Sequence, residues 1–157
     1  MDDTERATLE RIGTYQFGRG AGPALFADPE DLEVTYSTSG RPRQVHASDG
    51  RLVSLGTDGR FTLGLAGGHR LQAALDAPAY RVVVGDESAP YVREERNVFA
   101  KFVQSVDGSI RPGDEVLVVH HDGTLLAVGR AELSATGMAD FDTGMAVSVR
   151  EGAGEGQ

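Results

Sequence analysis

The chain has 157 residues, 39% of them hydrophobic, with 24 acidic against 15 basic side chains and a formal net charge of −9. That length holds one domain or two small ones, no apolar run approaches the ~20 residues needed to span a bilayer, and no basic, apolar N-terminal signal is visible. Cysteine is absent, which excludes disulfides, a thiolate zinc site and a thiol nucleophile and fits a cytoplasmic location.

In chain order, Met1 to Glu5 is polar and reads as loose, and Arg6 to Ile12 as a short helix carrying Ala7, Leu9 and Ile12. Gly18 to Pro23 is a glycine-rich bend, and Asp28 to Asp31 a polar turn or helix start. Leu32 to Ser37 alternates as a strand, with Leu32, Val34 and Tyr36 on one face. Gln44 to His46 and Arg51 to Leu55 flank an Asp49-Gly50 turn, and Asp58-Gly59 leads into a strand from Phe61 to Leu65. Gly67-Gly68 precedes a helix from His69 to Leu75, which Pro78 brings to an end. The domain boundary is placed here, giving an α+β domain over residues 1–78.

Tyr80 to Val84 opens the second domain as a strand, and Glu87 to Glu95 reads as a helix with Pro90 in its first turn. Val98, Phe99, Phe102 and Val103 form an apolar segment before the Asp107-Gly108 turn. Arg111-Pro112-Gly113-Asp114 is a second turn, since Pro pre-sets φ at its first central position. Glu115 to His120 is a buried-type strand, joined through Asp122-Gly123 to Leu125–Val128. Gly129 breaks that strand or admits close backbone approach. Ser134 caps a short helix through Met138 to Phe141, and Gly144 opens a last strand. The final EGAGEGQ has no core residue, and residues 153–157 are expected to be a disordered tail. Short strands at this spacing, with this punctuation, predict an all-β barrel or sandwich over 79–152.

Lys101 is the single lysine, and the other 14 basic residues are arginines. A strongly acidic, lysine-poor, Ala- and Gly-rich chain resembles proteins of salt-loving archaea, whose carboxylates keep them solvated while salt screens the repulsion. An ordinary acidic protein of a high-GC organism is the plain alternative. In molar salt, counterion release contributes little to nucleic-acid binding, so a negative net charge weighs little against an RNA partner there.

The order of parts from Asn97 to Gly152 resembles the PUA domain, a small RNA-binding β-barrel found on tRNA- and rRNA-modifying proteins. TYQFGRGAGPALF (Thr14 to Phe26) and the run from Ser37 to Leu71 are similar to the C2 domain that precedes PUA in archaeosine tRNA-guanine transglycosylase. The resemblance implies a C2-like α+β domain followed by a PUA β-barrel, the tRNA-gripping part of that family. A (β/α)₈ catalytic barrel takes at least ~200 residues, and the family's zinc-site cysteines are missing, so transglycosylase activity is not carried over. The function implied is non-catalytic recognition of structured RNA, tRNA first; the alternative is an accessory subunit docking on a tRNA-modifying enzyme such as an archaeosine-pathway transglycosylase.

By the same resemblance, the RNA groove lies between the helix-to-strand loop and the last strand. That places Arg93, Arg96, Asn97 and Lys101 beside Arg150. Arginine bonds phosphate in a bidentate fashion and stacks on bases. Arg19, Arg41 and Arg43 could extend a phosphate-contacting patch onto the first domain, or be solvated loop residues. Glu95 stands where the family's V-x-x-G-[RK]-x-V pattern has glycine, setting a negative charge where backbone would approach RNA.

No catalytic group, cofactor or metal site is read from the remaining motifs. Gly18-Arg19-Gly20-Ala21-Gly22 lacks the third glycine spacing of a dinucleotide fingerprint and reads as a backbone bend that admits close packing or approach to phosphate, with Arg19 nearby. The paired carboxylates read as solvated surface, and no GxSxG is present. Of four histidines, none pair at i, i+4; adjacent His120 and His121 would point to opposite faces of a strand.

Overall fold

A computed structural model describes residues 1–154, which fall into two compact units, 1–75 and 76 onward. No helix among the described residues is long and apolar enough to cross a membrane.

In the first unit, α1 (Asp3–Phe17) is twice as long as the Arg6–Ile12 expectation and begins inside the stretch expected to be loose. The reason is an N-cap: Asp2 Oδ1 accepts from the Glu5 amide at 2.7 Å, and Asp3 and Glu5 set negative charge against the helix's positive end. Leu9, Gly13 and Phe17, four residues apart, form its buried stripe. The GRGAG run is a turn followed by α2 (Ala21–Leu25), and the Gly22 amide donates to Thr14 Oγ1 at 3.0 Å. The bend packs on α1: a Cβ on Gly22 would lie 1.9 Å from Glu10 O.

A four-stranded antiparallel sheet follows in the order β1 (Glu33–Tyr36), β2 (Pro42–Ala47), β3 (Gly50–Leu55), β4 (Phe61–Leu63). Gln16 pins α1 to this sheet, accepting from Phe61 N at 2.8 Å and donating to Phe61 O at 2.9 Å. α3 (Leu65–Ala74) starts four residues earlier than expected, with Gly67 and Gly68 inside it. A Cβ on Gly67 would sit 2.0 Å from Leu52 O, so the glycine lets the helix lie on β3. Phe26 and Phe61 meet edge-on at 5.7 Å in a core shared with Leu9, Leu25, Leu52 and Leu71.

The second unit is a six-stranded sheet in the order β6 (Val98–Phe99), β10 (Met145–Gly152), β9 (Leu125–Ala131), β8 (Glu115–His120), β5 (Arg81–Val84), β7 (Val103–Val106). All neighbours are antiparallel except β5 and β8. The edge strands β6 and β7 are separated in the chain by one 3₁₀ turn, Ala100–Phe102. Three such residues advance only ~6 Å, so the sheet must curl until its edges nearly meet. The result is a nearly closed barrel filled by Val82, Val84, Val116, Val118, Leu126 and Val147. α4 (Ala89–Arg93) and α5 (Ala135–Asp140) add Ala89, Val92, Ala135 and Met138 to this core, and Ser134 Oγ caps α5 by accepting from Gly137 N at 3.0 Å.

Gly129 does not break β9; it is paired within the strand. Opposite it, β10 shifts register between Val149 and Glu151, leaving Arg150 as the extra residue of a bulge. A Cβ on Gly129 would lie 2.4 Å from Ser148 O, so only glycine admits this close pairing. β10 runs through Glu151 and Gly152, and the tail expectation fails for its first two residues: Ala153 N donates to Leu126 O at 2.8 Å and Gly154 N to Arg93 O at 3.0 Å. Residues 155–157, the rest of that expectation, lie outside the described residues.

Candidate nucleic-acid interface

α4 is shorter than the Glu87–Glu95 expectation because the backbone leaves the helical region directly after it. Glu95 has φ 71°, the left-handed conformation that favours glycine. Its carboxylate folds back, and Oε2 accepts from Gly152 N at 3.1 Å. Asn97 acts in parallel, its Oδ1 accepting from Val149 N at 2.9 Å. With Gly154 N on Arg93 O, the loop 93–97 is fastened to β10 and its extension at three points. These hydrogen bonds bridge the boundary between the loop and the last strand, where the groove was expected.

An open space lies between α4, the loop and β6. A cavity of about 260 Å³ is lined by Ser88, Tyr91, Arg96, Asn97, Phe99 and Phe102, among others. Tyr91 is 61% exposed and Phe99 47% exposed. Phe99 points outward because its neighbours Val98 and Ala100 fill the barrel. Ser88 is 8% exposed, and its hydroxyl has no hydrogen-bond partner among the described residues. A buried hydroxyl left this way costs about 1–3 kcal/mol, which a ligand able to hydrogen-bond would recover. Arg96 is exposed and lines the same cavity. Lys101 is exposed in the following 3₁₀ turn, its ammonium 5.1 Å from the Phe102 ring centroid.

The expected residues thus divide by occupation. Arg96 and Lys101 remain available to a ligand, and Arg93 is half-buried at the end of α4. Arg150, redirected by its bulge, is held by Glu115 in a bidentate pair, Nη1–Oε1 2.6 Å and Nη2–Oε2 2.8 Å. Glu115 is only 4% exposed, so Arg150 compensates a buried charge. In the first unit, the Arg41 guanidinium donates to the Gly56 carbonyl, while Arg19 and Arg43 are exposed. Tyr91, Phe99 and Ser88 were missed as site residues. For Phe99 the alternation Val98-in, Phe99-out was the available signal; nothing in the sequence marks the Ser88 hydroxyl as unpartnered.

A second polar cluster lies at the far end of β8. The expectation that His120 and His121 point apart fails because β8 stops at His120 and His121 is already in the turn. Their rings are 3.9 Å apart, and both Nε2 atoms face Asp86 Oδ1, at 2.5 Å and 3.2 Å. The contact with Asp86 raises His120 above the ordinary histidine range, with Asp122 adding to the effect. The same contact with His120 lowers Asp86, and the Thr124 backbone N–H is the main cause of a lowered Asp122.

Residues 7–78 match the family described as the patch-forming domain C2 of tRNA-guanine transglycosylase, and residues 80–153 match the PUA domain. A tRNA-guanine(15) transglycosylase of Methanothermobacter thermautotrophicus is 42% identical over 153 residues, which cover 97% of this chain and 23% of the relative. The enzyme of the same name from Pyrococcus furiosus is 46% identical over 145 residues, 92% of this chain and 24% of the relative. The chain therefore spans about a quarter of the length of the curated relatives it matches. Among solved structures, a hypothetical protein of Pyrococcus horikoshii OT3 superposes with a TM-score of 0.72 at 22% identity, covering 98% of this chain and 92% of that one. A conserved PUA domain protein of Thermoplasma acidophilum gives 0.61 at 21% identity, covering 99% and 93%. At these identities the likeness is one of fold.

Proposed function

Since this chain is a C2 domain of the tRNA-guanine transglycosylase kind followed by a PUA domain, we propose that it is a non-catalytic module that grips structured RNA, tRNA first, in the service of RNA modification. The observation that carries this reading is the cavity beside α4. It combines exposed Tyr91 and Phe99 rings, the cationic Arg96 and an unpartnered Ser88 hydroxyl. An unstacked base needs a π-face to lie on and a polar group to meet its edge, and its phosphate needs a cation. Those three requirements coincide here within a space of about 260 Å³. Arg96 and Lys101 supply the phosphate contacts, which set register rather than sequence preference. A 3′ tail or a splayed loop nucleotide fits such a cavity; a continuous helix does not enter it.

Two substitutions test this. Stacking on an aromatic ring is worth about 1–3 kcal/mol per base, so Tyr91→Ala is expected to weaken tRNA binding roughly 5- to 150-fold while leaving the melting temperature unchanged. Arg96→Ala with Lys101→Ala weakens binding and lowers the slope of log affinity against log salt. Unchanged affinity in both would remove the cavity from the account. Failure of the chain to bind any RNA, with a modifying enzyme co-purifying, would favour the accessory-subunit reading.

A further inference from the structure

Asp86 stands two residues past the end of β5, His120 ends β8 and His121 begins the turn after it. The parallel pairing Val84↔His120 and the bond from His121 N to Val84 O at 3.1 Å bring these three residues to one point of the barrel rim. We propose that Asp86, His120 and His121 form a binding site for one divalent transition-metal ion of the zinc class, with Asp122 orienting His120.

The donor spacing fits such an ion. Zinc binds imidazole nitrogen and carboxylate oxygen at about 2.0–2.2 Å in a tetrahedron, which sets neighbouring donors about 3.3 Å apart. Here one donor atom from each residue lies within 4.8 Å of the others. His121 Nε2 is already 3.2 Å from Asp86 Oδ1, while His120 Nε2 at 2.5 Å has to open. Asp86 is the side chain that moves: it is 85% exposed, whereas His120 is 13% exposed and held. Two imidazoles with one carboxylate select zinc-like ions over magnesium or calcium, which take all-oxygen sites. The fourth coordination position is left to water.

The surroundings of His120 support the same reading. A metal-binding imidazole needs its other nitrogen protonated and held, most often by a carboxylate. Asp122 Oδ1 lies 3.0 Å from His120 Nδ1 and is itself fixed by the Thr124 amide at 2.9 Å. The Asp122 backbone N–H also points at Nδ1, at 3.2 Å. With its proton on Nε2, His120 donates to Asp86 and Nδ1 accepts from that amide; with its proton on Nδ1, it gives up the amide, donates to the Asp122 carboxylate and offers Nε2 to a metal. Bound there, the ion would clip the loop after β5 to the end of β8. That loop continues into Glu87 and Ser88, but the metal site does not depend on the RNA reading.

The experiment is calorimetric titration of zinc chloride into the tag-free, chelator-washed chain, repeated for His121→Ala, Asp86→Asn, Asp122→Asn and His69→Ala. His121 and Asp86 are largely exposed, so their variants keep the fold, which a thermal melt checks. One ion per chain is expected, with His121→Ala and Asp86→Asn weakening affinity at least tenfold. Loss of the orienting carboxylate in Asp122→Asn costs about 10- to 100-fold, and His69→Ala, in the other unit, changes nothing. No zinc binding by the unaltered chain, or binding that His121→Ala leaves intact, would overturn the proposal.

Discussion

Glu95 offers the sharpest perturbation, because its backbone and its charge make separable demands. Replacing it with glycine relieves a left-handed residue, worth about 1–2 kcal/mol, and deletes the bond from Gly152 N, worth about 0.5–1.5 kcal/mol. The two nearly cancel, so Glu95→Gly should change unfolding stability by less than about 1 kcal/mol. Glu95→Gln keeps the side chain and an acceptor oxygen but removes the charge. In high dielectric a carboxylate repels a phosphate about 4–8 Å away by about 0.5–1 kcal/mol, which corresponds to a two- to fivefold effect on affinity. Both variants should therefore bind tRNA two- to fivefold more tightly in 0.1 M KCl, read by fluorescence anisotropy. In molar KCl the Debye length falls to about 3 Å, and the gain should vanish for Gln. Any gain that Gly retains at high salt measures closer approach of the backbone. If neither variant tightens binding at low salt while remaining folded, RNA does not pass this loop and the reasoning fails.

Arg150→Ala is expected to act on stability rather than on RNA. Stripping one partner from a fully buried pair costs about 3–5 kcal/mol; Arg150 is 29% exposed on its side chain, so the loss should fall below that range, read as a lower urea midpoint with unchanged slope. A variant with unaltered stability and weakened RNA binding would return Arg150 to the interface. The −9 charge predicts that the melting temperature rises between 0.1 and 2 M KCl as self-repulsion is screened; a flat profile would contradict the salt-adapted reading of the composition.

The barrel was legible where local chemistry and global fold agree. Asp107-Gly108 and Asp122-Gly123 dictate turns by themselves, the Val116–Val119 run has nowhere to go but a core, and Ser134 caps α5 as its position before the helix requires. The C2-like unit was harder, because helix propensity says little about where a helix begins. Asp2 starts α1 through one hydrogen bond, and Gly67 sits inside α3 because β3 lies against it, a fact of tertiary packing. The site suffered most. Arg150 looked like a free cation until a one-residue bulge turned it onto Glu115, 35 residues away in sequence. His120 and His121 looked divergent because strand alternation was extended one residue past the strand's end. In both cases the side chain's direction depends on where regular pairing stops, at the bulge in β10 and at the end of β8.

The central claim, that this chain grips RNA through the α4 cavity, is tested most directly by anisotropy of labelled tRNA in molar KCl, comparing intact tRNA with tRNA trimmed at its 3′ end. The account predicts saturable binding to intact tRNA that trimming weakens and that Tyr91→Ala weakens roughly 5- to 150-fold. Absence of binding to either tRNA, or equal binding to both that Tyr91→Ala leaves unchanged, would contradict it.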